Sequence, residues 1–291
     1  MDTVFLRGKD NLFLSVVAFN TENPKGVVQI IHGVAEHKER YFDFCRFLAA
    51  NGYAVIISDV RGHGKSINRN NPIGYISSLD DVISDQTIIT EYIKHKYPDK
   101  PLYLLGHSLG AIFARIYLMK NDDKIDKLVL SGAPNYITGV GIVNPLTKFF
   151  LKFGDGRGFF PLFKMVPGAG GGDIAWVCSN PKVLEEYKAD PYCGGYRLKN
   201  RGLSTMFDGV HKLHKRKKYQ LKKPTLPIFS ISGEQDPCTG GKRGLKDTIK
   251  TLRKIGYFDI KVKVYPNMKH EVLNEIGKDE VYQDVLNFFN E

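Results

Sequence analysis

Leu102-Tyr103-Leu104-Leu105-Gly106-His107-Ser108-Leu109-Gly110-Ala111-Ile112-Phe113-Ala114-Arg115 is the stretch from which the fold can be read. Four apolar residues suited to a buried strand run directly into a G-x-S-x-G pentapeptide, and the chain leaves it in a helix-forming run. A strand that turns at once into a helix brings two backbones too close for side chains on either flank, so glycine is required at 106 and 110. The turn lifts the Ser108 hydroxyl to the C-terminal edge of the sheet. It also aims the first N–H groups of the helix at negative charge developing beside it. Ser108 is the candidate nucleophile, with Gly106, His107 and Gly110 completing its turn.

Outward from this point the alternation repeats. Residues 27–31, 53–58 and 127–130 are apolar strand-like runs, and helical patterns occupy 39–51, 82–97 and 111–120, with Gly52 and Pro98 as stops. A hairpin precedes them, residues 4–6 and 12–19 about the turn Gly8-Lys9-Asp10-Asn11. This pattern predicts an α/β fold with a mostly parallel central sheet and helices on both faces. The alternation stops near Ala133-Pro134. It resumes with a strand at 226–232, a helix at 241–255, a strand at 260–265 and a helix at 278–290. A break with a return predicts an insertion, so residues 1–134 and 223–291 form the core and residues 135–222 a cap, or lid.

A serine hydroxyl is a poor nucleophile without an adjacent base. Where such an elbow sits on a parallel sheet, an acid and then a histidine follow it in the chain. Of the eight histidines, only His270 lies beyond the strand at 226–232 after which the acid is expected. That acid falls in Ser232-Gly233-Glu234-Gln235-Asp236-Pro237, where Asp236 is the better candidate and Glu234 its competitor. It would hold the His270 tautomer and stabilise the imidazolium. An oxyanion needs two backbone donors. One is the N–H of Leu109, directly after the serine; the other comes from Ile31-His32-Gly33-Val34-Ala35-Glu36-His37. Val34 is expected to supply it, because Gly33 lets the loop turn toward the site. His32, Glu36 and His37 are expected to brace the loop rather than to react.

Composition narrows the class. The chain has 291 residues, is 42% hydrophobic and carries a net charge of +11. It is thus long enough for a full core and too apolar to be disordered. No run of about 18 apolar residues appears, and the first residues lack a signal-peptide pattern, so a cytoplasmic location is expected. The four cysteines (Cys45, Cys178, Cys193 and Cys238) form no C-x-x-C pair, so neither a disulfide framework nor a structural zinc site is expected. Cys238 reads as a small buried residue or as a thiol near the site. The charge suggests nucleic acid, yet no helix-turn-helix, zinc-finger or RNA-binding pattern accompanies it. Residues 197–223 hold ten basic residues against Asp208 alone, which accounts for nine of the eleven net charges. The excess is therefore local. It reads as a solvated face or as a contact with anionic lipid surfaces.

Taken with Asp59-Val60-Arg61-Gly62-His63-Gly64-Lys65-Ser66, His270-Glu271-Val272-Leu273-Asn274-Glu275 and Asn180-Pro181-Lys182-Val183-Leu184-Glu185-Glu186-Tyr187-Lys188-Ala189-Asp190-Pro191, these motifs resemble the monoacylglycerol lipase and lysophospholipase branch of the α/β-hydrolase superfamily. The resemblance implies an α/β-hydrolase fold, a Ser108-Asp236-His270 triad and oxyanion N–H groups at Val34 and Leu109. It implies a cap over an acyl pocket, a small acyl-ester or lipid substrate, and no metal or organic cofactor. A short-chain carboxylesterase or an aminopeptidase of the same fold is the alternative. Phe149, Phe150, Leu151, Phe153, Phe159, Phe160, Leu162 and Phe163 read as an apolar funnel or as cap packing, and Gly168 to Gly172 as a hinge.

Overall fold

The structure, a computed structural model, describes residues 1–155, 173–194, 196 and 198–291. Phe159, Phe160, Leu162, Phe163, the glycines at 168 and 170–172, and Arg197 lie outside them. Among the described residues, eight strands form one sheet in the order β1-β2-β4-β3-β5-β6-β7-β8. The hairpin expected at the start is β1 (Asp2–Arg7) against β2 (Phe13–Phe19), and β2 pairs antiparallel with β4 (Ala54–Ser58). The remaining neighbours are parallel: β4 with β3 (Val27–Ile31), then β5 (Leu102–His107), β6 (Lys127–Ser131), β7 (Ile228–Gly233) and β8 (Ile260–Tyr265).

Every residue of β3, β4 and β5 is buried, as expected of parallel strands covered on both faces. Side chains alternate between two cores. Val27, Ile31, Ala54 and Ile56 join the core under α2 (Leu79–Lys96), α3 (Leu109–Asn121) and α7 (Gly241–Ile255). Val28, Ile30, Val55 and Ile57 face α1 (Phe42–Ala50) and α8 (Lys278–Asn290). The edge strand β8 is half exposed, and its Lys261 and Lys263 pair with Glu291 and with Glu280 and Asp284, charges at the sheet edge that discourage further strand pairing.

Two helix starts differ from the sequence expectation. α2 begins three residues early because the Ser78 hydroxyl accepts from the Asp81 N–H, an N-cap followed by acids in the first turn. Lys38–Tyr41, read as helical from 39, is a 3-10 turn ahead of α1. Lys38 is drawn out of helical register because its N–H and ammonium both donate to Asp59 at the end of β4, at 2.9 and 2.6 Å.

Between β6 and β7 the described chain holds α4 (Val140–Phe150), α5 (Pro181–Ala189) and α6 (Asn200–Lys212). This helical insertion lies over the C-terminal edge of the sheet. None of the described helices is long and apolar enough to cross a membrane. The basic stretch is partly neutralised within the fold. Lys212 pairs with Asp208 at 2.7 Å, Lys222 with Asp123 at 3.0 Å and Lys223 with Asp126 at 2.8 Å. Arg216, Lys217 and Lys218 form an exposed 3-10 turn, where the excess charge is concentrated.

Candidate active site

The expected elbow is present. β5 ends at His107, α3 starts at Leu109, and Ser108 between them takes φ 52° and ψ −117°, the left-handed side of φ that non-glycine residues rarely occupy. The surroundings hold it there. The Ser108 N–H donates to the Ser131 carbonyl of β6 at 2.9 Å, and its own carbonyl accepts from Ala111 at 2.9 Å. The flanking glycines are needed for space: a Cβ on Gly106 would lie 2.5 Å from the Gly110 carbonyl oxygen, and one on Gly110 only 2.1 Å from that of Ile31.

Asp236 and His270, 34 residues apart in sequence, meet beyond the ends of β7 and β8. The His270 Nδ1–H donates to Asp236 Oδ2 at 2.9 Å, and Asp236 Oδ1 accepts from the Cys238 N–H at 2.8 Å. The loops are pressed together so tightly that a Cβ on Gly233 would lie 2.1 Å from the Lys269 carbonyl oxygen. Burial raises the Asp236 pKa, but His270 outweighs it and the net shift is downward. Burial likewise opposes charge on His270, but Cys238 and then the Asp236 carboxylate favour it, and its pKa stands well above the ordinary 6.5. Glu234, the competing acid, is exposed and accepts only a long bond from the Asn267 N–H.

The loop after β3 reaches the same place. Val34, Ser108, Leu109 and Cys238 line one cavity of about 200 Å³. The His32 ring is buried and neutral, its pKa lowered to about 4 by burial. It donates from Nδ1 to the Gly33 carbonyl and accepts the Val60 N–H at Nε2, both at 2.8 Å. Glu36 accepts from the Gly33 N–H and from the Tyr41 hydroxyl.

The far wall of the cavity is Met206, Phe207 and Val210 of α6, with Ile112 and Ile137. The sequence carried a sign of this wall. Leu203, Met206, Phe207 and Val210 follow i, i+3, i+4, i+7 spacing, one apolar helix face. Phe149, Phe150 and Phe153, read as funnel candidates, do not line this cavity. Phe149 and Phe153 are 50% and 75% exposed, in a stripe with Ile142 and Leu146 that runs along α4 into the 3-10 turn after it. Cys238 is half-buried at the cavity wall.

Two further features escaped the sequence reading. The sole tryptophan, Trp176, rests its ring 5.1 Å from that of His270. The Arg40 guanidinium joins Glu36 at 3.0 Å to Glu271 at 2.6 Å, tying the loop after β3 to the loop of His270. Burial works against the charge on Glu271, but Arg40 prevails and the Glu271 pKa falls. Partners 231 residues apart leave no trace in local spacing.

A mostly parallel sheet with a strained serine at a strand-to-helix turn, beside an acid–histidine pair, defines an α/β-hydrolase of the serine-hydrolase type. The chain belongs to the family described as "Serine aminopeptidase, S33", which matches residues 22–277. It is 29% identical over 270 residues to a monoacylglycerol lipase of Mycolicibacterium smegmatis, covering 91% of this chain and 88% of that one. It is 25% identical over 268 residues to the human monoglyceride lipase, covering 88% and 82%. A carboxyl esterase from Bacillus coagulans, solved with glycerol, superposes with a TM-score of 0.89 at 22% identity, covering 99% and 97%, and so shares the fold.

The Arg40 bridge yields a stability prediction. Arg40→Met strands two buried carboxylates and should lower unfolding free energy by about 3–5 kcal/mol. Without Arg40 the burial of the Glu271 carboxyl loses its main counterweight, and the Glu271 pKa in the folded state rises. The loss is therefore smaller in acid, where that carboxyl is protonated, and larger at neutral pH. Denaturant unfolding at both pH values checks this; an equal loss at each would refute it.

Proposed function

We propose that the chain hydrolyses carboxylic esters of lipids, monoacylglycerols or lysophospholipids, through an acyl-enzyme on Ser108. The observation that carries this reading is the cavity between the elbow and α6, whose mostly apolar lining beside the serine suits an acyl chain. In the proposed cycle His270 takes the Ser108 proton as the oxygen attacks the ester carbonyl. The N–H groups of Leu109 and Val34 receive the oxyanion, each donor contributing about 3 kcal/mol to transition-state stability. Asp236 holds the His270 tautomer, and His270 returns the proton to the departing alcohol. Water, activated by the same histidine, then releases the fatty acid.

On this reading residues 135–222 are the cap over residues 1–134 and 223–291. The exposed Ile142, Leu146, Phe149 and Phe153 stripe, together with Arg216, Lys217 and Lys218, would meet an anionic lipid surface. The similarity to the two monoacylglycerol lipases supports the substrate class, while the family description leaves peptide amides as the second reading.

Ser108→Ala is expected to abolish hydrolysis and fluorophosphonate labelling without unfolding the chain; an active Ser108→Ala enzyme would remove the assignment. Across acyl esters of rising chain length and amino-acid amides, kcat/KM should peak at long-chain monoesters. A preference for short esters or for amides moves the assignment to the carboxylesterase or aminopeptidase reading. On anionic vesicles, reversing charge at Arg216, Lys217 and Lys218 should lower the rate in low salt only.

The raised His270 pKa sets a pH dependence. The base works when neutral, so kcat/KM should rise with pH through an apparent pKa above 6.5. Asp236→Asn removes the anion that favours the imidazolium. The rising limb should then move to lower pH while kcat falls roughly 10⁴-fold. A pH profile unmoved by Asp236→Asn would count against the pair.

A further inference from the structure

A second cluster of reactive side chains lies beside the loop after β3, outside the cavity at Ser108. His37 Nε2 is 2.7 Å from Asp190 Oδ2, and the donor atoms of His37, Asp190 and Cys193 all lie within 4.8 Å of one another. His37 and Cys193 are buried, and Asp190 is half-buried. The first belongs to the core; the other two belong to the turn that follows α5 in the insertion.

We propose that His37, Asp190 and Cys193 bind a divalent ion of the zinc class, with water as fourth ligand, and that the ion clamps the insertion to the loop carrying Val34. A nitrogen, an oxygen and a sulfur donor suit zinc and exclude a calcium- or magnesium-type site. Tetrahedral zinc with bonds of about 2.0–2.3 Å needs donors about 3.3–3.6 Å apart, so His37 Nε2 and Asp190 Oδ2, hydrogen-bonded at 2.7 Å, open by well under 1 Å to admit the ion. The thiolate and the carboxylate would balance the charge of the ion.

The surroundings are arranged as metal sites usually are. His37 directs its other ring nitrogen, Nδ1, at Glu39 Oε2 at 2.5 Å, the carboxylate–histidine pairing that orients a ligating imidazole. The Asp190 carboxylate is steered from behind: Oδ1 accepts from the Tyr192 N–H at 2.7 Å, which leaves Oδ2 facing His37. The turn bearing Cys193 is fastened to the loop by Gly194, whose N–H donates to the Ala35 carbonyl at 3.1 Å. Burial raises the Cys193 pKa and Arg40 lowers it in part; zinc removes a thiol proton outright when it binds.

Asp236, Cys238 and His270 form a second set of donors within 4.8 Å, and His37, Glu39 and Asp59 a third that has no thiol, so the test must separate the three. Cobalt chloride serves as probe, because a thiolate–cobalt bond gives a near-ultraviolet charge-transfer band that reports the ion whatever reaction the protein performs. The full chain and Cys238→Ser should each bind one cobalt ion with this band and surrender it to zinc chloride. Cys193→Ser and His37→Gln should lose the band, and Glu39→Gln should weaken binding about 10- to 100-fold. Circular dichroism checks each variant for folding, and His37→Gln serves if Cys193→Ser does not fold. Absence of the band in the full chain overturns the proposal, as does a band that survives Cys193→Ser and disappears in Cys238→Ser.

Discussion

The Arg40 guanidinium is the tie on which the site geometry rests. The Arg40 side chain is 11% exposed, donates to Glu36 on one side and Glu271 on the other, and lies 4.7 Å from the Tyr187 ring of α5. Through Glu36 it reaches the Gly33 N–H and the Tyr41 hydroxyl, and so the shape of the loop that carries Val34. Through Glu271 it reaches the residue next to His270. Three segments that are distant in sequence are thus held by one planar cation whose fork matches two carboxylates. Such a buried network adds little net stability over an apolar packing, but it penalises any arrangement that leaves one of its charges unpaired.

Around this tie, equally buried histidines shift in opposite directions. His32, His63 and His107 are all enclosed, with pKa values pushed down to about 4, 3 and 4, chiefly by desolvation. They stay neutral and act as braces: the His107 ring lies 4.8 Å from that of His270, with Nδ1 hydrogen-bonded to the Ser131 hydroxyl at 3.1 Å. His270 is equally buried, yet its pKa moves up because Asp236 and Cys238 face it. Partners, rather than burial, distinguish His270 from these three neighbours.

The elements that could be read from the sequence are those whose cause is local. The apolar runs at 27–31 and 102–105 become buried strands, and the glycines of the elbow are required by contacts that the strand–turn–helix path itself creates. The candidate acid and base could be found through chain order alone, because a parallel sheet presents successive loops at one edge. The cavity wall was not read. The apolar face of α6 was visible in its periodicity, but whether that face lies over the serine depends on how the insertion folds back. The phenylalanines of α4 illustrate the converse, since aromatic content alone does not say which way a helix turns.

By itself, then, the sequence determined the α/β alternation, the place of the insertion, and Ser108, Asp236 and His270 as candidates, because periodicity and order along the chain are written in neighbouring residues. The tertiary structure decided which acid faces His270, that Arg40 joins Glu36 to Glu271, that α6 rather than the α4 aromatics lines the cavity, and that His37 meets Asp190 and Cys193. Each of these is a contact across tens to hundreds of residues. Its energy depends on burial and mutual orientation, and neither exists until the chain has packed.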